Sequence, residues 1–174
     1  TGFLSIDHPD KTDEQYLYLP ALGRPRRISS DQRGGSFMGS DFTYEDISIN
    51  LEDYNYKLVA TKDRAGEEVY VVEARPVSES VREDVGFAKR IIWIRTDNFT
   101  VAKAQYFDQV GTKIKVMKAD KVKKVAEGCW LATKMVMKDL EKGSQTVLVY
   151  KNVEVNTGIR DRYFSIRQLT RPGL

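Results

Sequence analysis

The sequence predicts a mainly β protein, in which a strongly curved antiparallel sheet forms an incomplete barrel, or half-barrel, with short helices. Runs of strand-forming residues follow one another, and short polar or glycine-containing links separate them. No long amphipathic helical pattern interrupts this series. Strands joined in sequence favour one curved sheet, because curvature lets the sheet bury one face upon itself.

The strand-like segments can be assigned in chain order. They are Thr1 to Ile6, Tyr16 to Leu19, Tyr54 to Thr61, Glu68 to Ala74, Ala88 to Arg95, Val101 to Phe107, Lys113 to Val122, Cys129 to Leu140 and Gln145 to Val155. The links between them include Asp63-Arg64-Ala65-Gly66, Thr96-Asp97-Asn98, Glu127-Gly128 and Glu141-Lys142-Gly143-Ser144. Short helices are expected near Tyr44 to Asn50 and Asp161 to Gln168. We expect a single domain over residues 1–174, with roughly eight or nine strands in its sheet.

The last hairpin predicts which side chains face the core. One face of its first strand carries Leu131, Met135 and Met137, and the other carries Ala132, Lys134 and Lys138. Pairing Leu140 with Gln145 places Leu148 opposite Met137 and Tyr150 opposite Met135, all on the inward, concave face. A register slip of one residue would move a strand's side chains to the other face.

The segment from Tyr16 to Ile47 combines an aromatic strand, an arginine cluster and a glycine-rich loop, without an obvious catalytic group. Pro20 and Pro25 bracket an extended turn that carries Arg24, Arg26 and Arg27. The loop that follows contains four large apolar side chains: Phe37, Met38, Phe42 and Tyr44. These aromatics either cap the core, as aromatic residues usually do, or belong to an apolar binding surface.

The stretches YLPALGRPRRI and GGSFMGSDFTYEDI resemble the outer membrane lipoprotein-sorting protein domain, a family related to the periplasmic lipoprotein carriers of Gram-negative bacteria. The resemblance extends from the first residues to about Leu169, and its specific motif covers about thirty residues. Full members carry a signal sequence, an N-terminal helix and further strands upstream. The chain begins without an initiator methionine, so we expect a fragment or processed product that lacks this N-terminal part.

The resemblance implies a non-enzymatic periplasmic carrier that takes part in outer membrane biogenesis. Lipid or lipoprotein acyl chains would bind in an apolar concave cavity and be transferred between membranes, with an inner-membrane transporter or outer-membrane receptor as partner. Contact with the membrane would be peripheral rather than integral. No cofactor is expected.

Two sets of site residues follow from this hypothesis. The residues expected to bind lipid are Phe42, Tyr44, Trp93, Leu131, Met135, Met137, Leu148 and Tyr150. The residues expected to meet a partner or an anionic headgroup are Arg24, Arg26 and Arg27, unless the acidic residues Asp31, Asp41, Glu45 and Asp46 pair with them internally.

An alternative of a different class fits the same pattern. Methionine fills gaps in ordinary cores, and Trp93 can be a core residue rather than a cavity wall. The protein would then be a periplasmic interaction or sensor module whose curved sheet binds another protein. A dry, fully packed concave face would favour this alternative, and a cavity of several hundred cubic ångströms would favour the carrier.

Composition argues against several other classes. The net charge of +3 is small and the signs are interspersed, so nucleic acid is not an expected partner. One cysteine and one histidine exclude a disulfide framework and a histidine-rich metal site. Cys129 is expected to be a buried, inert thiol and His8 to lie in a surface turn. Asp10, Asp13 and Glu14 lack the spacing of a cation-binding loop, so no metal is expected.

Overall fold

The computed structural model describes residues 1–8, 13–64 and 66–171, with the side chain of Arg64 left aside. The expectations for Pro9, Asp10 and Ala65 lie outside the described residues. The chain divides into two compact units: Thr1–Arg33 together with Asn156–Leu174, and Gly34–Val155. The expectation of a single domain over residues 1–174 stays a prediction.

Ten strands and three short α-helices make up the described chain. The strands are β1 (Gly2–Ile6), β2 (Glu14–Tyr18), β3 (Pro25–Ile28), β4 (Tyr54–Arg64), β5 (Glu67–Pro76), β6 (Lys89–Arg95), β7 (Val101–Phe107), β8 (Lys113–Ala126), β9 (Cys129–Asp139) and β10 (Ser144–Val149). The helices are α1 (Tyr44–Ile47), α2 (Glu79–Val85) and α3 (Ile166–Leu169). Single 3-10 turns lie at Pro20–Leu22, Ser30–Gln32, Phe37–Gly39, Leu51–Asp53 and Asp161–Tyr163. No helix in this part of the chain is long and apolar enough to cross a membrane.

The first unit contains a three-stranded antiparallel sheet with the order β1-β2-β3. Leu4, Leu17 and Ile28 are buried, one from each strand. Helix α3 packs near β1, where a Cβ on Gly2 would lie 2.8 Å from Cδ1 of Leu169. The short strand β3 carries Arg26 and Arg27, so these arginines lie on an extended strand rather than in a turn.

The second unit is a seven-stranded antiparallel meander with the order β10-β9-β8-β7-β6-β5-β4. Paired residues in an antiparallel sheet point to the same face, so the register defines both faces. One row across the sheet runs Val72, Ile92, Ala104, Met117, Met137 and Thr146. The neighbouring row, on the opposite face, runs Val71, Trp93, Lys103, Lys118, Val136 and Val147.

The face that contains Met137 carries the core of this unit. Its buried cluster joins sheet residues with side chains from residues 34–53, from α2 and from the link that follows α2. Phe42, Val85 and Phe87 are the most buried of these covering residues. Met137 is fully buried in this cluster, and Met135 and Leu148 pack against it.

The prediction of a mainly β fold with short helices is confirmed, but the strands form two sheets rather than one. Among the described residues the edge strands β4 and β10 do not pair with each other, so the seven-stranded sheet is not a closed barrel. Strand β10 ends at Val149, six residues before the predicted end at Val155. Helix α2 was not predicted, although Ser78 at its N-cap and Gly86 after its last residue are common helix boundaries.

The predicted register of the last hairpin is wrong by two residues. Ser144 pairs with Asp139, so Leu148 lies opposite Met135 and Thr146 lies opposite Met137. Asp139 fixes this turn, because its Oδ1 accepts hydrogen bonds from the backbone N–H groups of Glu141 (3.1 Å) and Lys142 (3.0 Å). A slip of two residues preserves the face, and the Met135 side of β9 is therefore the inner side, as predicted.

Gly34 allows the backbone of the loop to approach α2 closely. Its N–H donates to the carbonyl of Asp84 at 2.7 Å, and an added Cβ would lie 2.9 Å from that oxygen and 3.0 Å from the Val85 oxygen. Both obstructing atoms are backbone, so they cannot rotate away. We predict that Gly34→Ala lowers the free energy of unfolding by about 1–3 kcal/mol in urea denaturation.

The matched control for this variant is Glu83→Ala, an exposed position on α2 beside Asp84. It should change the free energy of unfolding by no more than about 0.5 kcal/mol. Equal stability of Gly34→Ala and the parent would show that the close approach is unimportant.

Candidate functional site

Five of the predicted lipid-binding residues lie on or against the core face of the second unit. Met135, Met137 and Leu148 meet through the β9–β10 pairing, and Phe42 is buried in the same cluster. Tyr44 is buried at the start of α1, with its ring edge-on to Phe37 at 5.6 Å. We call Met117, Met135, Met137 and Leu148 the methionine face. Residues of the segment 34–53 pack against it.

Trp93 lies on the opposite face of the sheet from the methionines. Its row is the one adjacent to Met137's row, and a shift of one residue along a strand reverses the direction of the side chain. The Nζ of Lys103, its cross-strand partner, sits 4.5 Å from the ring centroid. The structure thus separates Trp93 from the other predicted lipid-binding residues.

Leu131 and Tyr150 are not among the residues that pack in or against the buried cluster of Met137. Ala132, predicted on the opposite face, packs against this cluster, because the regular alternation is interrupted where Lys121 on the paired strand has a positive φ of 54°. Tyr150 follows the end of β10 and is 41% exposed, and its backbone N–H donates to the carbonyl of Thr133 at 2.9 Å. Leu131 is half-buried and pairs with Lys123 near the start of β9. The placement of Tyr150 opposite Met135 is wrong, because Leu148 occupies that position.

Asp41 attaches the segment 34–53 to the sheet. Its Oδ1 accepts a hydrogen bond from Ser144 Oγ at 2.5 Å, and its Oδ2 accepts one from Thr146 Oγ1 at 2.8 Å. The Asp41 N–H donates to Thr146 Oγ1 at 3.0 Å, and Lys115 Nζ donates to the Asp41 carbonyl at 3.3 Å. Asp41 is 7% exposed, so these bonds are shielded from water. We call this set of contacts the Asp41 latch.

A second polar cluster is buried beneath α1. Glu45 is fully buried, and its Oε1 accepts a hydrogen bond from the Tyr54 hydroxyl at 2.5 Å. Arg90 is 2% exposed, with its guanidinium carbon 4.4 Å from the Tyr54 ring centroid and 5.9 Å from that of Phe87. The Nε of Arg90 has no hydrogen-bond partner among the described residues. Such buried charge is costly unless it is paired or stacked on aromatic rings.

Tyr106 connects this cluster to the capping box of α1. Its hydroxyl donates to Asp46 Oδ1 at 2.8 Å, while Asp46 Oδ2 accepts from the Thr43 N–H at 2.8 Å. Burial raises the pKa of Tyr106 well above its ordinary value, and the neighbouring Asp46 raises it further. The phenol therefore stays neutral at physiological pH and acts as a hydrogen-bond donor rather than a base.

The arginine cluster belongs to the first unit. Arg24, Arg26 and Arg27 are all exposed, and Arg27 lies 3.9 Å from Glu14 on the adjacent strand. Arg24 and Arg26 form no ion pair within the described residues. The acidic residues considered as internal partners bind other groups, because Asp41, Asp46 and Glu45 accept from hydroxyl and backbone donors and Asp31 accepts from the Ser29 hydroxyl.

The structure corrects the prediction for Cys129 but does not contradict the one for His8. Cys129 is exposed at the first position of β9, so the prediction of a buried thiol is wrong. The reason is that β9 begins directly after the Glu127-Gly128 reversal, where the strand is still at the surface. His8 lies 3.8 Å from Glu14 Oε1 and accepts no described hydrogen bond at Nε2. Within the described residues, no group of three or more acidic, histidine or cysteine side chains is placed to hold a metal ion.

A pocket of about 490 Å³ opens beside α2. Its lining residues are Arg75, Pro76, Val77, Ser78, Glu79, Arg82, Ala88 and Gln109. None of them belongs to the predicted lipid-binding set, and the lining is largely polar. Arg75 is held by Glu73 at 2.7 Å and Arg82 by Glu79 at 2.6 Å.

The similarity of this chain to known proteins identifies its family. A family model described as uncharacterized-protein-like matches residues 1–171. A solved structure of a proposed outer membrane lipoprotein-sorting protein domain from Vibrio parahaemolyticus is 31% identical, with a TM-score of 0.87 over 97% of this chain and 71% of that one. The chain belongs to the outer membrane lipoprotein-sorting protein domain family. No curated protein is significantly similar to it in sequence.

Two further solved structures are also similar to this chain. A DUF1329 family protein from Desulfovibrio piger is 28% identical, with a TM-score of 0.84 over 96% of this chain and 70% of that one. A LolA superfamily protein from Nitrosomonas europaea is 19% identical, with a TM-score of 0.63 over 94% of this chain and 87% of that one. At that identity, the LolA superfamily protein shows a shared fold alone.

The buried polar residues Arg90 and Asp41 were not predicted from the sequence. Arg90 alternates with Ile92 and Ile94 along β6, and a charge within an apolar alternation is a signal that could have identified it. Asp41 gave no comparable signal, because its partners Ser144 and Thr146 are more than 100 residues away along the chain.

Asp139 provides a pH test of the turn that sets the register. Burial acts to raise its pKa, but hydrogen bonds and positive charge from Lys142, together with the charge of Lys115, hold the pKa below its ordinary value of 3.8. A carboxylate whose pKa is lower in the folded state stabilises the fold above the unfolded pKa, and this contribution is lost as the pH falls through the folded pKa. We predict that Asp139→Asn costs about 1–3 kcal/mol at pH 7 and loses less stability on acidification than the parent.

Urea denaturation at neutral and acidic pH measures both effects. The control is Glu141→Gln, which removes an exposed carboxylate from the same turn and should match the parent at either pH. The assignment fails if Asp139→Asn loses as much stability between the two pH values as the parent does.

Proposed function

We propose that this lipoprotein-sorting domain is a non-enzymatic periplasmic carrier that binds lipid or lipoprotein acyl chains against the methionine face and transfers them between membranes. The observation that carries the proposal is the 31% identity to a proposed outer membrane lipoprotein-sorting protein domain over nearly the whole chain. The seven-stranded sheet is proposed to curve as an incomplete barrel around this face.

The methionine face has the chemistry that an acyl chain requires. A buried methylene is worth roughly 0.8 kcal/mol, so a chain of about sixteen carbons is not released into water readily. Methionine is unbranched and polarizable, and it adapts to chains of different shape. Met135 and Leu148 are only partly buried and pack against the fully buried Met137, so they form the accessible margin of this apolar surface.

Access to the methionine face depends on the segment 34–53. The Asp41 latch holds this segment through hydroxyl hydrogen bonds to a carboxylate, each worth about 1.5–3 kcal/mol net in a folded protein, in addition to the buried contact of Phe42. Phe37 and Phe42 occupy the apolar cluster in the structure. An acyl chain would take the place of such side chains, which makes an exchange of one apolar group for another energetically feasible.

The arginine cluster is proposed to meet an anionic headgroup, an inner-membrane transporter or an outer-membrane receptor. Arg24 and Arg26 are exposed without a described ion pair, and Arg27 reaches Glu14 only at 3.9 Å. An exposed ion pair of that length contributes at most about 1 kcal/mol, so an external anion can compete with it.

Met135→Asp tests the lipid site. A charge placed on the methionine face must be desolvated when an acyl chain binds, so we predict that the affinity for a fluorescent fatty-acid probe falls by at least about tenfold. The measurement is probe titration, with a thermal melt to show that the variant is folded.

The control is Val136→Asp, which adds the same charge at the next residue on the opposite face, where Val136 pairs with Lys118 and Val147. This control should bind the probe like the parent. Equal probe affinity for folded Met135→Asp and the parent would remove Met135 from the site.

Replacing Arg26 and Arg27 with glutamine tests the headgroup surface. We predict that the double variant binds vesicles containing phosphatidylglycerol about tenfold more weakly at low salt, with a smaller difference at high salt because ions screen the attraction. The control is Arg160→Gln with Arg167→Gln, which removes two exposed charges from the same unit. If the Arg26/Arg27 variant binds like the parent at every ionic strength, the cluster is structural.

One observation favours the alternative of a protein-binding module. Met137 is fully buried and Phe42 is 3% exposed, so the centre of the methionine face is closed by the chain's own side chains. A module that binds a protein through its sheet needs no lipid-accessible interior. Probe binding that is absent from the parent itself would support this alternative.

A further inference from the structure

The sheet face opposite the methionine face carries a concentration of lysines. Pairing across β7, β8 and β9 places the lysines on the same side of the sheet as Trp93. Lys103 and Lys118 lie in one row of paired residues, and the other lysines lie in the next rows on that same side. We call Lys103, Lys113, Lys118, Lys134 and Lys138 the lysine face. Lys113, Lys118 and Lys138 are exposed, and the other two are half-buried.

Positive charge strongly exceeds negative charge on this surface. Among the described residues of β7 to β10 that point to this side, Asp120 is the acidic residue, opposite Lys134. The five lysines of the lysine face and Asp120 together have a formal charge of +4, while the whole chain carries +3. A local excess of positive charge can attract an anionic partner even though the net charge of the whole chain is small.

The other half of the same sheet face is compensated. On β5 and β6, Glu73 lies 3.6 Å from Lys89, and Glu67 lies 3.2 Å from Arg95. By contrast, Lys113, Lys118, Lys134 and Lys138 form no ion pair with the described residues. On this face of the seven-stranded sheet, the excess positive charge is therefore concentrated on β7–β9.

Two of the ammonium groups are held close together. With the Gln105 amide oriented toward its donors, its oxygen accepts from Lys103 Nζ at 3.2 Å and from Lys113 Nζ at 3.1 Å. An anion that approaches Lys113 lowers the repulsion between these two ammonium groups.

Apolar side chains continue this surface to the edge of the sheet. Val147 and Val149 on β10 point to the lysine side and are 47% and 48% exposed. Val147 pairs with Val136, and Val149 pairs with Lys134. Cations interleaved with small apolar groups match the interface of a bilayer, where phosphates lie above the first methylenes.

We propose that the lysine face docks this protein on an anionic phospholipid bilayer. Lysines suit a fluid surface of phosphates, because an ammonium is a compact point charge that needs no fixed bidentate partner, whereas recognition of fixed carboxylates favours arginine. The proposal stands on the charge pattern of this face and does not depend on whether the methionine face carries a lipid. It adds a second basic surface to the arginine cluster.

The test uses Lys118→Gln with Lys138→Gln, two exposed lysines on neighbouring strands, in co-sedimentation with vesicles of phosphatidylcholine containing a minority of phosphatidylglycerol. At about 1 kcal/mol per lysine near an anionic surface, the double variant should bind on the order of 10- to 30-fold more weakly at low salt. The difference should shrink as the salt is raised, and Lys118→Arg with Lys138→Arg should retain binding.

The matched control is Lys57→Gln with Lys62→Gln, two exposed lysines on β4. That strand lies four strand spacings from β8, or about 19 Å, on the half of the sheet face where acidic residues such as Glu73, opposite Lys57, compensate the positive charge. The control should bind vesicles like the parent. The affinity for the fatty-acid probe should be unchanged in all of these variants. Probe binding therefore tests the carrier proposal, and vesicle binding tests the docking proposal, independently of each other.

Several outcomes would overturn the docking proposal. They are equal binding of the Lys118/Lys138 variant and the parent at low salt, equal losses in this variant and in the Lys57/Lys62 control, and equal binding of the parent to vesicles with and without phosphatidylglycerol. Complete loss of vesicle binding in the Arg26/Arg27 variant alone, with no loss in the Lys118/Lys138 variant, would assign the membrane contact to the arginine cluster.

Discussion

The alternation of side chains along antiparallel strands is the constraint on which this structure depends. In the second unit, each strand directs successive residues to opposite faces, so a row that contains Met137 and a row that contains Lys118 lie side by side. The same strands therefore build an apolar core on one side and a basic surface on the other. A one-residue slip at any pairing would exchange the two, placing lysines in the core, and this large cost fixes the register.

The turn between β9 and β10 and the Asp41 latch show how this register is secured at the edge of the sheet. Asp139 organises the turn by accepting backbone hydrogen bonds, and Asp41 then bonds to Ser144 and Thr146 on the last strand. Both aspartates are nearly buried, so each depends on its partners to compensate for lost hydration. The segment 34–53 and the edge strand β10 consequently stabilise each other, and the segment is held against the methionine face.

Much of the second unit could be predicted from the sequence because its strands are long and regularly punctuated. The limits of β7 were predicted to the residue, and the inner side of β9 was assigned correctly from Met135 and Met137. The position of Trp93 relative to the methionines could not be predicted, since it depends on pairings through β7 and β8 and not on its own strand. The two-residue error at Leu148 arose because Leu140 belongs to the turn, where its N–H donates to the Ile114 carbonyl on β8. The Asp41 latch could not be predicted either, because no local sequence pattern links residues so distant along the chain.

The exposed position of Cys129 has a practical consequence. It is the single cysteine of these 174 residues, and it lies at the start of β9, beside the reversal at Gly128. A thiol-reactive fluorophore or spin label would therefore attach at one defined point per molecule without any engineered substitution. Because β9 contributes to both sheet faces, such a label would report on distances to either of them from the native sequence.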